Sequence, residues 1–255
     1  MIPDDLHIGP LPIHVFGICL AVAFLAAGKI AELEFERKGW PTAVASSALV
    51  YAAVGGLAGS RLWVIIESFG DFLASPLEYL YTGKGFVFYG GLLGGAAAVT
   101  WVFRRASIPW FAGADAVAPA IAVGQAIGRI GCQLSGDGDW GSPTDLPWGM
   151  AYPHAVAGWP YPPGVRVHPA PVYETILYTI TFAILWRLRR RPHPDGAILG
   201  WYLILTGTAR FLVECVRVEP VVAFGLTSAQ VMGLVLVPIG TALVWGQRRW
   251  QTAAA

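Results

Sequence analysis

The sequence has few charged residues. Asp, Glu, Lys and Arg make up only 13% of its 255 residues, whereas 55% are hydrophobic and the mean hydropathy is +0.56. An average soluble domain carries roughly a quarter charged residues. A chain of this length in water would have to bury an improbable share of its apolar surface, so the composition predicts a protein whose solvent is lipid. The net charge of +1 says nothing about partners, but the sequence has no basic stripe and no RNA-binding signature, so no nucleic-acid partner is expected.

Cysteine and histidine are scarce and lack the spacings of a metal site. The three cysteines (Cys19, Cys132 and Cys215) form no CxxC pair, and the five histidines form no HExxH pattern. We therefore expect no structural metal. Residues 1–10 are acidic rather than basic, and no small-residue cleavage site follows the first apolar run, so no cleavable signal peptide is expected.

Seven apolar stretches are long enough to cross about 30 Å of hydrocarbon. They lie at about 12–31, 43–66, 86–103, 109–129, 171–187, 196–216 and 226–247. The fourth and sixth contain Gly, Asp or Arg and are weak on hydropathy alone. The predicted fold class is an all-α polytopic membrane protein with about seven transmembrane helices, which form a single membrane domain over residues 1–255.

The distribution of basic residues predicts an orientation. With seven spans, most Lys and Arg outside the spans fall on one side: Arg37, Lys38, Arg104, Arg105, Arg187, Arg189, Arg190, Arg191, Arg248 and Arg249. The other side has only Lys84 and Arg166 clearly in its loops. Because basic loops stay in the cytoplasm, the C-terminus is expected inside and the N-terminus outside.

The long connection at about 130–170 falls on the outer side of this topology. It is rich in proline, which forbids a long helix, and contains Trp140, Trp148 and Trp159, which suit the headgroup level of a membrane. We expect a small folded cap on the outer membrane face.

Small residues spaced by four predict close helix contacts within the membrane. The pairs are Gly55 with Gly59, Gly90 with Gly94, and Gly91 with Gly95. Each allows a neighbouring backbone to approach closely.

Charges inside the predicted spans are the strongest indication of a functional site. Arg61 lies in the second span, Arg129 ends the fourth, and Arg210, Glu214 and Arg217 share one helical face at the end of the sixth. An ionised side chain within the bilayer costs roughly 2.5–3.5 kcal/mol on insertion scales, so it usually faces a cavity, a partner or a ligand.

Two interpretations of these charges are open. The first is an internal ion-pair network, with Arg210 paired to Glu214 and Arg61 paired to Glu67. The second is a phosphate site, because two carboxylates cannot neutralise four guanidinium groups and a guanidinium fork matches a phosphate.

A glycine-rich segment surrounds Arg129. Residues 128–141 read GRIGCQLSGDGDWG and contain five glycines, so the helix is expected to end in an irregular turn whose bare amides suit an anion. Asp137 and Asp139 are expected to orient the arginine or to cap the turn.

Six motifs in order resemble those of the prolipoprotein diacylglyceryl transferases, bacterial inner-membrane enzymes. They are IGPLPIHVFG (8–17), GSRLWVI (59–65), GFVFYGGLLGG (85–95), GRIGCQLSGDGDWG (128–141), HPAPVYE (168–174) and GTARFLVECVR (207–217). The resemblance implies transfer of diacylglycerol from phosphatidylglycerol to the lipobox cysteine thiol of a lipoprotein precursor, with release of glycerol phosphate. It implies no cofactor, since the donor lipid is already activated by its phosphate.

The resemblance also implies roles for individual residues. Arg129 and Arg210 are expected to hold and activate the phosphate, with Glu214 orienting Arg210 and Tyr89 in the catalytic group. The expected substrate-binding residues are His14, Phe16, Arg61, Gly90, Gly91, Cys132, Gly136, Asp137, Gly141, His168, Glu174 and Arg217.

Three positions depart from the family pattern. Phe16 stands where many members have tyrosine, Tyr89 where many have histidine, and Cys132 where asparagine is usual. The obvious general base is therefore missing, and His168 is an alternative if the cap folds over the site. An alternative function is transfer of a lipid group to a different acceptor. An anion transporter and a non-catalytic lipid-binding protein are further alternatives, although the chain shows no internal repeat.

Overall fold

A computed structural model describes residues 5–8, 11–74 and 87–253; Lys84 and Gly85 lie outside these ranges. The helices are α1 Val15–Arg37, α2 Thr42–Glu67, α3 Phe69–Ala74, α4 Phe88–Arg105, α5 Trp110–Ser135, α6 Ala170–Leu188, α7 Ala197–Glu214 and α8 Ser228–Ala253. Two antiparallel hairpins pair β1 Asp5–Ile8 with β2 Leu11–His14, and β3 Val221–Ala223 with β4 Leu226–Thr227.

The predicted all-α polytopic fold is confirmed. Each apolar stretch of the sequence overlaps one long helix, and five described helices (α1, α2, α5, α7 and α8) are long and apolar enough to cross a membrane. The weak spans are not those expected, because α5 and α7 meet this criterion and α4 and α6 do not.

The chain forms two compact units, Ala31–Gly113 and Met1–Ile30 with Ala114–Ala255. The unit Ala31–Gly113 is built on the pair α2 and α4, and its glycines meet as predicted. A Cβ on Gly55 would lie 2.7 Å from the carbonyl oxygen of Gly94, and one on Gly59 would collide with the carbonyl oxygen of Gly90. The two backbones are therefore in direct contact, which only glycine permits.

The other unit contains α5–α8 and repeats this device between α7 and α8. A Cβ on Gly200 would lie 2.8 Å from the carbonyl oxygen of Gly240, and one on Gly233 would lie 2.7 Å from that of Gly207. These glycines are seven residues apart on each helix, so a search for pairs spaced by four misses them. Ala118, Ala122, Leu185 and Ile198 form the buried core beside them.

A buried carboxylate joins α5 to the start of α7. Asp115 accepts backbone N–H hydrogen bonds from Gly196 (2.8 Å) and Leu199 (2.7 Å). The first amides of a helix have no partner within the helix, and a carboxylate is a favourable cap for them. The contact fixes the direction in which α7 leaves the preceding loop, and α7 carries Arg210.

The connection between α5 and α6 is folded. Trp140 stacks on Tyr152 with ring centroids 5.3 Å apart, and Trp159 packs on both rings. The backbone N–H of Gly141 donates a hydrogen bond to the carbonyl of His168, and that of Ser142 donates to the carbonyl of Val216. Trp140 and Trp159 thus belong to an aromatic cluster, and Trp148 is the exposed member of the three, at 54%; their place at the headgroup level stays a prediction.

Candidate functional site

Glu174 brings two of the predicted arginines together. It lies in the second turn of α6 and its side chain is fully buried. Arg129 from α5 pairs with it through Nε, 2.9 Å from Oε2, and Arg210 from α7 pairs with Oε1 through Nη1. One carboxylate therefore fixes two guanidinium groups from two other helices.

Further ion pairs close a ring. Glu214 lies 3.4 Å from Arg210 and 3.7 Å from Arg217, and Asp139 pairs with both Arg217, at 2.7 Å, and Arg129. The order is Arg129, Glu174, Arg210, Glu214, Arg217, Asp139 and back to Arg129. We call these six residues the arginine–carboxylate ring.

Glycines position Asp139 in the ring. Gly136 ends α5 with φ of 65°, and Gly138 has φ of 98°, both in the region that favours glycine. A Cβ on Gly141 would collide with the carbonyl oxygen of Val216 and lie 2.8 Å from His168 Cβ. This close approach lets the segment after Gly138 run beside Arg217, so that Asp139 reaches its guanidinium group.

Asp137 and Asp139 divide the two expected roles. Asp137 Oδ1 accepts the N–H of Asp139 at 3.3 Å and so caps the turn, whereas Asp139 itself orients Arg129. Burial raises the pKa of the Asp139 carboxyl, but the charges of Arg129 and Arg217 outweigh it and hold that pKa below its usual value. Asp139 is therefore ionised at neutral pH.

The ring contains three guanidinium groups and three carboxylates, so the charge count made from the sequence was wrong. That count set two carboxylates against four arginines. It left out Glu174 and also Asp139, although Asp139 was expected to orient Arg129. The predicted pair of Arg210 with Glu214 is present, but Glu174 is the closer partner of Arg210. Glu219 adds a rim contact to Arg217 at 2.6 Å, which the sequence did not indicate.

Exposure within the ring is uneven. The side chains of Glu174 and Glu214 are 0% and 2% exposed, whereas those of Arg129, Arg210 and Asp139 are 23%, 28% and 29% exposed. Glu174 and Glu214 therefore lie on the buried side of the arginines. Arg129, Arg210 and Asp139 are accessible to a ligand, and such preorganised guanidinium groups bind and stabilise phosphate charge.

His168 and Phe16 each contact the glycine-rich segment 128–141, His168 at Gly141 and Phe16 at Gly131. His168 Nδ1 is 3.2 Å from Tyr173 Oη, which also accepts a hydrogen bond from Trp148. Phe16 contacts Gly131 on α5, because a Cβ there would be 3.2 Å from its ring. His14 precedes α1 directly and is exposed.

Cys132 lies one helical turn after Arg129, with Sγ 3.8 Å from Arg129 Nη1. Its sulfur and the carboxylates of Asp137 and Asp139 lie within 4.8 Å of one another, the arrangement of a possible metal site. Asp139 is already neutralised by two guanidinium groups, and their positive charge opposes a cation.

The remaining predicted residues belong to the unit Ala31–Gly113. Arg61 is half-buried in α2, and Tyr89 is 42% exposed in the first turn of α4. Gly90 and Gly91 contact Gly59 and Ser60 of α2. These two glycines have a packing role, and their part in substrate binding stays a prediction.

Comparison with known proteins gives the family of the chain. The family model described as prolipoprotein diacylglyceryl transferase matches residues 3–246. The phosphatidylglycerol–prolipoprotein diacylglyceryl transferase of Methylibium petroleiphilum is 34% identical, covering 97% of both chains. Proteins of the same name from Cupriavidus metallidurans and Pseudoalteromonas atlantica are each 35% identical, over 99% and 97% of this chain and 96% and 90% of theirs.

The fold and the ring define a multi-pass membrane protein whose paired arginines are held by buried carboxylates. The matches extend over nearly the whole chain and include every helix of the site. The chain belongs to the prolipoprotein diacylglyceryl transferase family, which confirms the resemblance of its six motifs and makes it a bacterial transferase.

Proposed function

We propose that this protein transfers the diacylglyceryl group of phosphatidylglycerol to the cysteine thiol in the lipobox of a prolipoprotein signal peptide. The observation that carries the proposal is the fully buried Glu174, which holds Arg129 and Arg210 side by side. Family membership supports the choice of donor and acceptor, because the relatives are named for both.

The reaction forms one bond and breaks one bond. The thiolate sulfur attacks the carbon of the diacylglyceryl group that is bonded to the phosphate oxygen. A C–S thioether bond forms, and the bond between that carbon and the phosphate oxygen breaks. The electron pair of that bond leaves with the phosphate oxygen, so the second product is glycerol phosphate. The thiol proton passes to a base or to water.

Arg129 and Arg210 stabilise the leaving group in this proposal. Negative charge on the phosphate grows as the C–O bond breaks, so fixed guanidinium groups bind the transition state more strongly than the donor lipid. Glu174 and Glu214 prevent the arginines from turning away, since each is buried and pairs with Arg210. The stabilisation of the transition state thus comes from arginine side chains whose positions are fixed when the protein folds.

Three features of the chain contribute to activation of the thiol in this proposal. Tyr89 replaces the family's usual histidine and serves here as a hydrogen-bonding group for the phosphate or the thiol. His168 is tied to Tyr173 at 3.2 Å and is the candidate base of the cap. The positive field of the arginines also favours a thiolate.

We further propose that the N-terminus and the cap are on the outer face and the C-terminus is in the cytoplasm. The excess of basic residues in alternate loops supports this orientation. The prolipoprotein peptide then approaches the ring from the outer side, and the donor lipid enters from the bilayer.

A reconstituted assay tests the proposed function. The purified protein in nanodiscs receives phosphatidylglycerol labelled in its terminal glycerol, together with a lipobox peptide that contains either cysteine or serine. We expect labelled glycerol phosphate only with the cysteine peptide. Release with neither peptide, from a folded sample that binds the lipid, would favour transfer to a different acceptor and direct attention to Phe16, Tyr89 and Cys132.

A further inference from the structure

Asp139 differs from the other carboxylates of the arginine–carboxylate ring. Glu174 and Glu214 are on helices, with side chains 0% and 2% exposed. Asp139 lies on an irregular segment and is 29% exposed. It is therefore the carboxylate of the ring that is accessible to a competing ligand.

The turn that carries Asp139 is built to change conformation at low cost. Gly136 and Gly138 have positive φ values of 65° and 98°, and glycine reaches many backbone conformations that other residues do not. One hydrogen bond within the turn, from the Asp139 N–H to Asp137, is long at 3.3 Å. The segment is anchored on both sides of Asp139. The carbonyl oxygen of Gly136 accepts the N–H of Ala157 at 3.2 Å, Trp140 stacks on Tyr152, and the Gly141 N–H donates to His168. The change of conformation is therefore confined to residues 137–139.

The contacts of Asp139 match those of a phosphodiester. Its Oδ1 pairs with Arg217 Nη2 at 2.7 Å and its Oδ2 pairs with Arg129 Nη1. A phosphodiester also offers two oxygen atoms that share one negative charge, and guanidinium groups bind both kinds of anion through the same paired hydrogen bonds. Exchange of one for the other leaves the ring neutral.

We propose that Asp139 is an exchangeable ligand of the ring. The phosphate of the donor lipid, held by Arg129 and Arg210 as proposed above, also takes the place of the Asp139 carboxylate on Arg129 and Arg217. The carboxylate returns when glycerol phosphate leaves. This inference rests on the proposed function. Asp139 is a positioning residue, since it acts through the two arginines rather than on the reacting atoms.

The return of Asp139 has a kinetic purpose. Cleavage of the C–O bond turns a phosphodiester with one negative charge into a monoester that carries close to two at neutral pH. The arginines hold this product more strongly than the donor. A tethered carboxylate that competes for the same two guanidinium groups speeds the release of glycerol phosphate.

Neutralising Asp139 tests the exchange. In the Asp139→Asn variant, calorimetric titration with glycerol phosphate should show a Kd lower by about tenfold, the effect of one charge-assisted hydrogen bond. The KM for phosphatidylglycerol and the steady-state kcat should fall together, while the single-turnover rate stays within about twofold of wild type. Asp145→Asn, at an exposed site in the same connection, is the matched control and should change none of these values. Unchanged or weaker binding in Asp139→Asn would overturn the exchange.

A second measurement uses the unaltered protein. Hydrogen exchange of the amides of residues 136–140 should become faster when dilauroyl phosphatidylglycerol or glycerol phosphate is added, because Asp139 leaves the ring. Slower or unchanged exchange at saturating ligand contradicts the proposal. Binding and hydrogen exchange require no transfer, so these results are separate from the peptide-dependent assay of the proposed function.

Discussion

Arg129 Nε lies 2.9 Å from Oε2 of Glu174, a carboxylate with no exposed surface. The same carboxylate pairs with Arg210, so the distance between the two arginines is set by the packing of α5, α6 and α7 rather than by the side chains alone. A phosphate that contacts both guanidinium groups meets a rigid pair. This arrangement reduces the reorganisation needed in the transition state.

Removing the charge of Glu174 should affect both folding and turnover. Glu174→Gln leaves Arg129 and Arg210 without their shared buried partner, and breaking a buried ion pair costs about 3–5 kcal/mol. We expect a lower melting temperature in detergent and a large decrease in kcat. Glu36→Gln, which alters an exposed glutamate of α1, is the control. Wild-type stability and turnover in Glu174→Gln would show that Glu174 does not hold the arginines.

The glycine contacts of α2 and α4 should tolerate no side chain. A Cβ on Gly94 would collide with the carbonyl oxygen of Gly55 and lie 2.9 Å from Gly59 Cα. Gly94→Ala should therefore push the helices apart and destabilise the protein by about 1–3 kcal/mol, measured as a decrease in melting temperature. Gly246→Ala has open space around the new methyl group and should leave the melting temperature unchanged; equal effects of the two variants contradict this packing.

The aromatic cluster of the cap predicts a loss of stability at high pH. Burial raises the pKa of Tyr152 to about 12, from an ordinary value of about 10. Because this pKa is higher in the folded than in the unfolded state, the contribution of the neutral Tyr152 to folding stability is complete below about pH 10 and is lost as the pH rises to about 12. The loss should reach about 2–3 kcal/mol, at 1.36 kcal/mol for each pKa unit.

Thermal melting between pH 9 and 12 checks this prediction. Tyr152→Phe removes the ionisable group together with the hydrogen bond to Gln133, so it should be less stable at pH 9 by about 1 kcal/mol but show a flatter pH profile. The exposed Tyr51 of α2 supplies the control variant Tyr51→Phe, which should keep the wild-type profile. If the melting temperature of Tyr152→Phe falls with pH as steeply as that of the wild type, the group that titrates is not Tyr152.

Much of the fold was predictable because lipid imposes simple rules on sequence. A span needs about twenty apolar residues, and each of the seven predicted stretches overlaps a long helix. The spacing of Gly55 and Gly59, and of Gly90 and Gly94, predicted that each pair packs closely against a helix, but not that the two pairs contact each other. The contacts of Gly200 and Gly207 on α7 were not predicted. A seven-residue interval is common by chance, and it indicates a contact only once α8 is seen to pack antiparallel to α7.

The site was predictable in part. The positions of Arg129 and Arg210 were expected from the cost of charge in a membrane, and Glu214 from its helical spacing to Arg210. The partners of these arginines were predicted only in part: Glu214 and Asp139 were expected beside them, whereas Glu174 was not expected to pair with both. Asp139 and Arg217 are 78 residues apart, and only the close approach at Gly141 joins them, which no local pattern in the sequence indicates.

The most direct test of the account is the transfer rate of arginine variants in nanodiscs that contain phosphatidylglycerol and the cysteine peptide. Arg129→Ala and Arg210→Ala should each lower the single-turnover rate by at least about a hundredfold. Lysine at either position should restore little, because it lacks the fork that pairs with phosphate and carboxylate together. Arg166→Ala, at an exposed site of the cap, should keep the wild-type rate. Folded Arg129→Ala and Arg210→Ala proteins that still transfer the lipid at that rate would contradict the central claim.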